Sequence, residues 1–432
     1  MNSKIRIPFF TLCIFGIFSI SAFAAVEAPY EVGTWGNFAK GAISHTFDDY
    51  GMSGISQIAG GKSGQAAFDT YGFHATIFVV ASMVSNWTDL KTAFAKGHEI
   101  ASHNNNHDSN QSGLAPSQKT IKQNVPGEMC VTIAYPNCNT PGDQQVLQYY
   151  IAGRNCTAQI NQKSPGNFAQ INAKMFGSGQ CGCPNDANSM NSFADQAASG
   201  NGWAVTCHHG IGSDSHSWAV TNLNAMKDHL SYLDKNRDKI WIETFGNVAR
   251  YIKERNAASV AKKDSTANGI TISVTDNLPD SIYNFPLSIR RPLPATWTTA
   301  VVMQKGSAVK DTVITDGTTK YVMFKAVPDG GDIVISNGPV AVLRGGGSSV
   351  GAEGTFPAVR NNATLVVDRR RFNGSALTVT LFDLCGKTIA RYTLGPAEDR
   401  VTLPVNTIRR SAFIAKIIGG NKSYIGTFMP QL

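Results

Sequence analysis

Between residues 41 and 255 short apolar runs alternate with helical patterns, and this alternation constrains the fold more than any other feature of the chain. The runs cover 42–47, 76–80, 99–102, 130–135, 203–207 and 240–243; the helical patterns include 90–95, 146–152, 223–233 and 248–255. Strand and helix in regular succession predict parallel strands with crossover helices, as an open sheet or a barrel. The stretch 155–202, rich in Asn, Ser, Gly and Gln, lacks the pattern and reads as long loops over one face, where function commonly sits.

The texture changes after Asp264. Short alternating runs at 270–274, 285–289, 300–303, 312–315, 321–324 and 332–335, parted by Gly, Pro and Asp turns, predict a small antiparallel β domain. A flexible linker built on Gly345-Gly346-Gly347-Ser348-Ser349 follows, and runs at 365–368, 377–382, 388–392, 400–403 and 413–417 predict a second β module. The expected organisation is a leader over 1–24, an α/β unit over 25–262, a β domain over 265–342, a linker over 343–358 and a β sandwich over 359–432.

The leader is read from Lys4 and Arg6, an apolar run over 7–23 and the small-residue ending Ala22-Phe23-Ala24, which together make a secretory signal too short to span a membrane. The mature chain is expected to begin at Ala25 or Val26 and to work outside the cytoplasm: extracellular, at the cell surface or in the periplasm. No later segment has membrane-spanning length. Export permits disulfides among Cys130, Cys138, Cys156, Cys181, Cys183 and Cys207, with the pairing open. Cys181-Gly182-Cys183 is poor zinc spacing, and Cys385 reads as a small buried hydrophobe. Lys and Arg number 38 against 30 Asp and Glu, a net charge of +8. These charges are scattered, apart from Arg369-Arg370-Arg371 and Arg409-Arg410, so no nucleic-acid partner is expected.

Three polar clusters sit where strands are predicted to end: Asp48-Asp49 after 42–47, His103 and His107 after 99–102, and His208-His209 after 203–207. In parallel α/β sheets and barrels the strand C-termini build the active site, so three distant segments would converge on one rim. His103 and His107 are four apart, which on a helical turn puts both imidazoles on one face within reach of one ion. One Asp would complete a two-His, one-carboxylate set, and the other would stay free as a base. Taken alone, an Asp pair more often caps a helix or lines a turn. A zinc-protease pattern needs Glu after the first His, where this chain has Asn104. A non-haem iron oxygenase shares the ligand types, but nothing suggests its β barrel.

Thr46-Phe47-Asp48-Asp49 and Gly97-His98-Glu99-Ile100-Ala101-Ser102-His103-Asn104-Asn105-Asn106-His107 resemble, in order, wording and separation, the first two motifs of the polysaccharide deacetylase family. This is the NodB-homology group of carbohydrate esterase family 4, and the resemblance covers residues 38–255. It implies a distorted (β/α) barrel of the NodB type, here followed by two small all-β domains. It makes Asp48 the general base and Asp49, His103 and His107 the ligands of a divalent metal, with Zn2+ the default and Co2+ or Ni2+ alternatives. Tyr135-Pro136-Asn137 would supply an oxyanion-holding amide at Asn137, and Cys207-His208-His209 would supply His209 as general acid. His208 then falls to a packing role.

The implied activity is hydrolysis of acetyl groups from an acetylated polysaccharide partner, as amide or ester, in chitin-type sugars, acetylxylan or peptidoglycan. Aromatic platforms for such a substrate are sought at Trp87, Trp203, Trp218 and Tyr50, each of which reads equally as core. There are departures. Tyr50 stands where the family has Gly, Ala134 where many members have an Arg that pairs with the base, and Cys138 where they have Gly. Arg154, after a predicted helix over 149–153, is a candidate to supply that charge instead, with a plain surface Arg the preferred reading. These changes keep a competitor open: an inactive surface protein that binds glycans. The C-terminal module resembles the β-sandwich sorting domains of exported proteins, implying secretion machinery as a partner. A carbohydrate-binding module or an inert spacer is the rival reading.

Overall fold

The computed structural model describes residues 25–337 and, beyond them, segments 358–361, 364–368, 376–382, 388–394, 400–404, 413–419 and 422–428. The expected leader with Cys13, nearly all of the linker, Cys385 and the arginine runs at 369–371 and 409–410 lie outside the described residues.

An eight-stranded, all-parallel sheet organises the N-terminal unit. Its strands are β1 (Gly41–Tyr50), β2 (Thr76–Val79), β3 (Glu99–Ser102), β4 (Thr132–Ala134), β5 (Ala152–Arg154), β6 (Lys174–Met175), β7 (Trp203–His208) and β8 (Ile240–Ile242). The order across the sheet is β5-β4-β3-β2-β1-β7-β6, with β8 also paired to β1. A strand has two edges. β7 takes one along residues 42–47, so β8 at 41–43 and β2 at 46–50 share the other, and the sheet curls into an incomplete barrel.

The crossovers are α1 (Ser63–Asp69), α2 (Trp87–Ala95), α3 (Leu114–Asn124), α4 (Asp143–Val146), α5 (Ala187–Ser199) and α6 (Leu223–Lys235), and α7 (Phe245–Ala257) follows β8. Several start where a side chain can accept a free first-turn amide: Asn86 before α2, Asp186 before α5, Asn222 before α6 and Thr244 before α7. The predicted helix at 146–152 is corrected: α4 ends at Val146, and Ala152 already opens β5. The unpatterned stretch 155–202 is corrected too, because it contains α5. That helix buries Met190, Phe193, Ala194 and Ala197 at helical spacing on an otherwise polar sequence.

Strand periodicity sorts the core into two sides. Ile43, Phe47, Ile77, Val79, Ile100, Ile133 and Ala204 pack with helix residues such as Phe68, Leu90, Phe193 and Leu230. Their neighbours Ala42, Phe78, Ala101, Ala134, Trp203, Val205 and Cys207 point to the barrel interior, which Trp35 and Phe245 help fill.

α7 then links the barrel to the next unit. Its Tyr251 and Ile252 share a core with Leu287, Ile289 and Phe324, and Tyr251 donates its hydroxyl to the Gly33 carbonyl at 2.7 Å. Two antiparallel sheets form this unit, running Ser259–Ser265, Gly269–Thr275, Ile333–Asn337, Ala300–Gln304, Ser307–Ala308 and Glu31–Val32, Leu287–Pro292, Thr319–Ala326, Asp311–Asp316. The C-terminal strands make two further antiparallel sheets, and Leu365, Val367 and Leu403 of one share a core with Leu377, Val379, Phe413 and Ile417 of the other. Among the described residues no helix is long and apolar enough to cross a membrane.

Candidate active site

The site begins with an irregularity at the end of β1. Its register with β2 slips between Phe47 and Tyr50, and Asp49 adopts φ 63°. A regular strand would send Asp48 and Asp49 to opposite faces. The slip and the left-handed backbone instead turn both carboxyls toward the C-terminal rim of the barrel. Such a conformation costs about 1–3 kcal/mol for a residue with a side chain and persists where its surroundings enforce it.

His103 follows β3 directly. Its Nδ1 lies 2.9 Å from the Ala134 carbonyl, which fixes that nitrogen as the donor and aims Nε2 at Asp49 Oδ1, 3.0 Å away. His107 Nε2 stands at 3.0 Å from the same oxygen. The helical turn expected for this pair is replaced by a tight turn, with Asn104 at φ 59° and His107 at φ 55°. Asn104 holds it by donating to the Asp108 and Asn110 carbonyls at 2.7 and 3.1 Å.

Asp48 faces the interior beside a group the sequence reading assigned to the surface. Arg154 is fully buried, and its Nη2 contacts Asp48 Oδ2. It lies at the same parity in β5 as the interior residue Ala152, a signal legible in the sequence once β5 is recognised as a strand. Cys207, expected among the disulfide candidates, is a free buried thiol whose Sγ lies 3.5 Å from the same Asp48 oxygen. Burial alone would raise the Asp48 carboxyl, but Arg154, with His103 and His209, outweighs it and holds the group below the usual carboxylate range. Asp48 Oδ1 has no hydrogen-bond partner.

β7 separates the two adjacent histidines by its alternation. His208 turns outward to lie between Thr221 Oγ1 at 2.9 Å and Thr206 Oγ1 at 2.8 Å, stacked against Phe47. His209 turns inward to the carboxylates, its Nε2 at 4.0 Å from Asp49 Oδ2. Burial lowers His209 against the opposing pull of Asp48 and Asp49. A fourth imidazole, absent from the sequence reading, reaches the same carboxylate: His216 Nε2 lies 3.2 Å from Asp49 Oδ2, and its ring stacks on His209. No sequence pattern marks it, since it comes from an irregular loop.

Of the aromatic candidates, Trp203 and Tyr50 are core and Trp87 is half-buried. Trp218 is 40% exposed, with its ring 6.3 Å from that of His209. Asn137 sits at φ 52° in the exposed turn after β4, and a Cys138–Cys156 disulfide ties that turn to the chain just past Arg154. Cys181 pairs with Cys183, and Cys130 is free and buried.

Asp49, His103 and His107 each offer one ligand atom within 4.8 Å of the others. The two Nε2 atoms stand 3.0 Å from Oδ1, yet neither contact has hydrogen-bond geometry and Oδ1 is left without a donor. Two imidazole nitrogens and a carboxylate oxygen converging on one point suit a cation. Tetrahedral ligands bonded at 2.0–2.2 Å stand about 3.3 Å apart, near the separation found here.

Residues 36–129 match the family model described as polysaccharide deacetylase. A curated relative, a gellan lyase from Bacillus sp, is 25% identical over 344 residues, which is 73% of this chain but 14% of the relative, so the chain spans about one-seventh of that protein. Solved structures with similar folds include a probable polysaccharide deacetylase from Pseudomonas aeruginosa PAO1, at 13% identity, TM-score 0.38, covering 51% of this chain and 93% of that one. Others are the peptidoglycan deacetylase PdaC from Bacillus subtilis (15%, TM-score 0.30, 50% and 92%) and a family 4 acetyl xylan esterase from Clostridium thermocellum in complex with a cobalt ion (15%, TM-score 0.31, 48% and 89%).

Proposed function

We propose that this chain, which carries a polysaccharide deacetylase domain, is an exported enzyme that removes acetyl groups from an acetylated polysaccharide by metal-assisted hydrolysis. One observation carries the reading: the unpartnered Oδ1 of Asp49 meets the Nε2 atoms of His103 and His107 beside a second buried carboxyl, Asp48, whose own Oδ1 is free to accept a proton. Asp49, His103 and His107 would hold a divalent ion, with Zn2+ favoured by the N,N,O set. Such an ion polarises an acyl oxygen and makes water a better nucleophile near neutral pH.

The chain's own residues divide the rest. Asp48 takes the proton of the attacking water at Oδ1, while Arg154 and Cys207 contact its other oxygen and Arg154, with His103 and His209, keeps it ionised. His209 delivers a proton to the departing sugar nitrogen or oxygen; burial lowers its affinity for that proton and so makes it a stronger acid. The Asn137 amide donates to the tetrahedral oxyanion. Trp218, exposed on the rim, offers a face for a sugar ring.

The gellan lyase relationship agrees with a polysaccharide substrate; the acetyl group, an N-acetyl amide as in chitin-type sugars or an ester as in acetylxylan, is the proposal drawn from the deacetylase match. Residues 25–262 are the proposed catalytic domain, 265–342 a small β domain and 359–432 a sorting or binding module. The sequence pattern of a leader over 1–24 is what favours release outside the cell or display on its surface. The rival reading of an inactive glycan-binding protein drew on Ala134 and Cys138; Arg154 answers the first by supplying the cation that Ala134 cannot, and Cys138 is taken up in a disulfide with Cys156.

Acetate release from chitooligosaccharides and from acetylated xylan, with and without chelator, tests the proposal. Asp48→Asn should retain the ion and lose about 10²–10⁴-fold in kcat, and His103→Ala should lose ion and activity together. Metal-loaded protein that releases acetate from neither substrate would overturn it in favour of glycan binding alone.

A further inference from the structure

We propose that His216 is a positioning residue: its Nε2, 3.2 Å from Asp49 Oδ2, is placed to donate to that oxygen and so to fix the carboxylate for an ion held by Asp49, His103 and His107. The inference rests on the metal-site reading above. The two oxygens of Asp49 have different neighbours. Oδ1 faces His103 and His107 at 3.0 Å each, whereas Oδ2 has His216 Nε2 at 3.2 Å and His209 no nearer than 4.0 Å. A carboxylate held only through Oδ1 is free to swing about its last bond. A donor on Oδ2 removes that freedom, as donors to ligating carboxylates commonly do. Direct ligation is the poorer reading, because the mutually close atoms are those of Asp49, His103 and His107, and His216 approaches the opposite oxygen.

The anchoring of the His216 loop is an independent observation. The buried Asp214 carboxylate accepts the amides of Ser56 at 2.8 Å, Gln57 at 3.1 Å and Ile211 at 3.0 Å. The Ser215 amide donates to the Gly54 carbonyl at 3.0 Å. Gly54 itself has φ +90°, and a Cβ there would lie 2.6 Å from Ser215 Oγ and 3.1 Å from the His216 nitrogen. Four residues separate segment 54–57 from the aspartate pair. The loop that delivers His216 is therefore stapled to the chain that delivers Asp49, and the two move as one piece.

The test is zinc affinity, by competition with a chromogenic chelator, together with the visible bands of the Co2+-substituted full chain and its thermal midpoint. Wild-type protein should bind one ion and His103→Ala none; absence of an ion in wild type would sink the metal-site reading itself. His216→Phe should weaken zinc about 10–100-fold with the Co2+ band positions and intensities kept, and His216→Gln should recover most of that loss through its amide donor. Asp214→Asn, which loosens the staple and leaves His216 in place, should weaken zinc in the same direction by less. Zinc affinity within twofold of wild type in His216→Phe, beside a His103→Ala that binds nothing, would overturn the proposal. So would Co2+ bands showing a changed coordination number, which would make His216 a ligand.

Discussion

Two pairs of carboxyls, three of the four residues buried and Glu128 half-buried, lie at opposite ends of the same parallel sheet, and their surroundings differ in kind. Glu99 opens β3 at the bottom of the barrel. It accepts Thr132 Oγ1 at 2.5 Å, Thr76 Oγ1 at 2.7 Å and the Gly246 amide at 2.8 Å. Its neighbour Glu128 accepts the Ile100 and Cys130 amides, each at 3.0 Å. Burial raises Glu99, and burial together with Glu99 pushes Glu128 up to about 7. At the top, Asp48 and Asp49 are held ionised against their burial, and each has an oxygen with no partner. A buried carboxyl with all its donors supplied fixes structure; one held charged with an oxygen left open is available for chemistry.

Removing Arg154 should break this contrast with the largest effect. Arg154→Met leaves Asp48 buried and uncompensated, and loss of one partner of a buried pair costs about 3–5 kcal/mol. Urea denaturation should show that loss, and the double change with Asp48→Asn should recover most of it. Singles and double that simply add would show that the two groups do not act as a pair.

A smaller effect separates the two ends directly. In Glu99→Gln the amide oxygen can keep Thr76 and the Gly246 amide while the NH2 faces Thr132 Oγ1, which must turn from donor to acceptor, at about 0.5–1.5 kcal/mol. Zinc affinity should not change. Asp49→Asn should do the reverse, abolishing metal binding with little change in the thermal midpoint of the metal-free protein. Loss of metal binding in Glu99→Gln would erase the distinction.

Where the chain's chemistry lies along strands it was legible in sequence. The strands carrying Asp48, His103 and His209 appear as short apolar runs, and their C-terminal ends are where polar residues accumulate. Alternation along Trp203, Val205 and Cys207 also predicts that His209, not His208, faces inward. What escaped came from two sources. β5 is three residues long and was absorbed into a predicted helix, which left Arg154 looking like a surface cation. His216 belongs to a loop placed by Asp214 and Gly54, through contacts between segments about 160 residues apart that no local pattern encodes. The helix α5 was hidden because its apolar residues are few, although Asp186 caps it and their spacing is helical.

The smallest expected effect comes from the histidines behind β1. At the rim the imidazoles of His103 and His107 face a carboxylate, Asp49. On the helix side His45, His208 and His229 have only neutral partners: His229 Nε2 meets His45 Nε2 at 3.1 Å and Nδ1 meets Asn191 Oδ1 at 2.6 Å. Burial depresses all three, His45 to about 3. The unfolded chain takes up protons near pH 6.5, which the folded chain refuses until far lower pH. Stability is therefore intact above about pH 6.5 and falls as the solution is acidified through the window between the unfolded and folded values. From pH 7 to 6 the loss is about 0.7 kcal/mol for each such histidine. Denaturation free energies measured across that interval should fall accordingly, and His229→Asn should flatten the slope by one histidine's share. A slope unchanged by that substitution would mean the imidazole already titrates in the folded protein, and the helix-side cluster would then differ from the rim less than its burial implies.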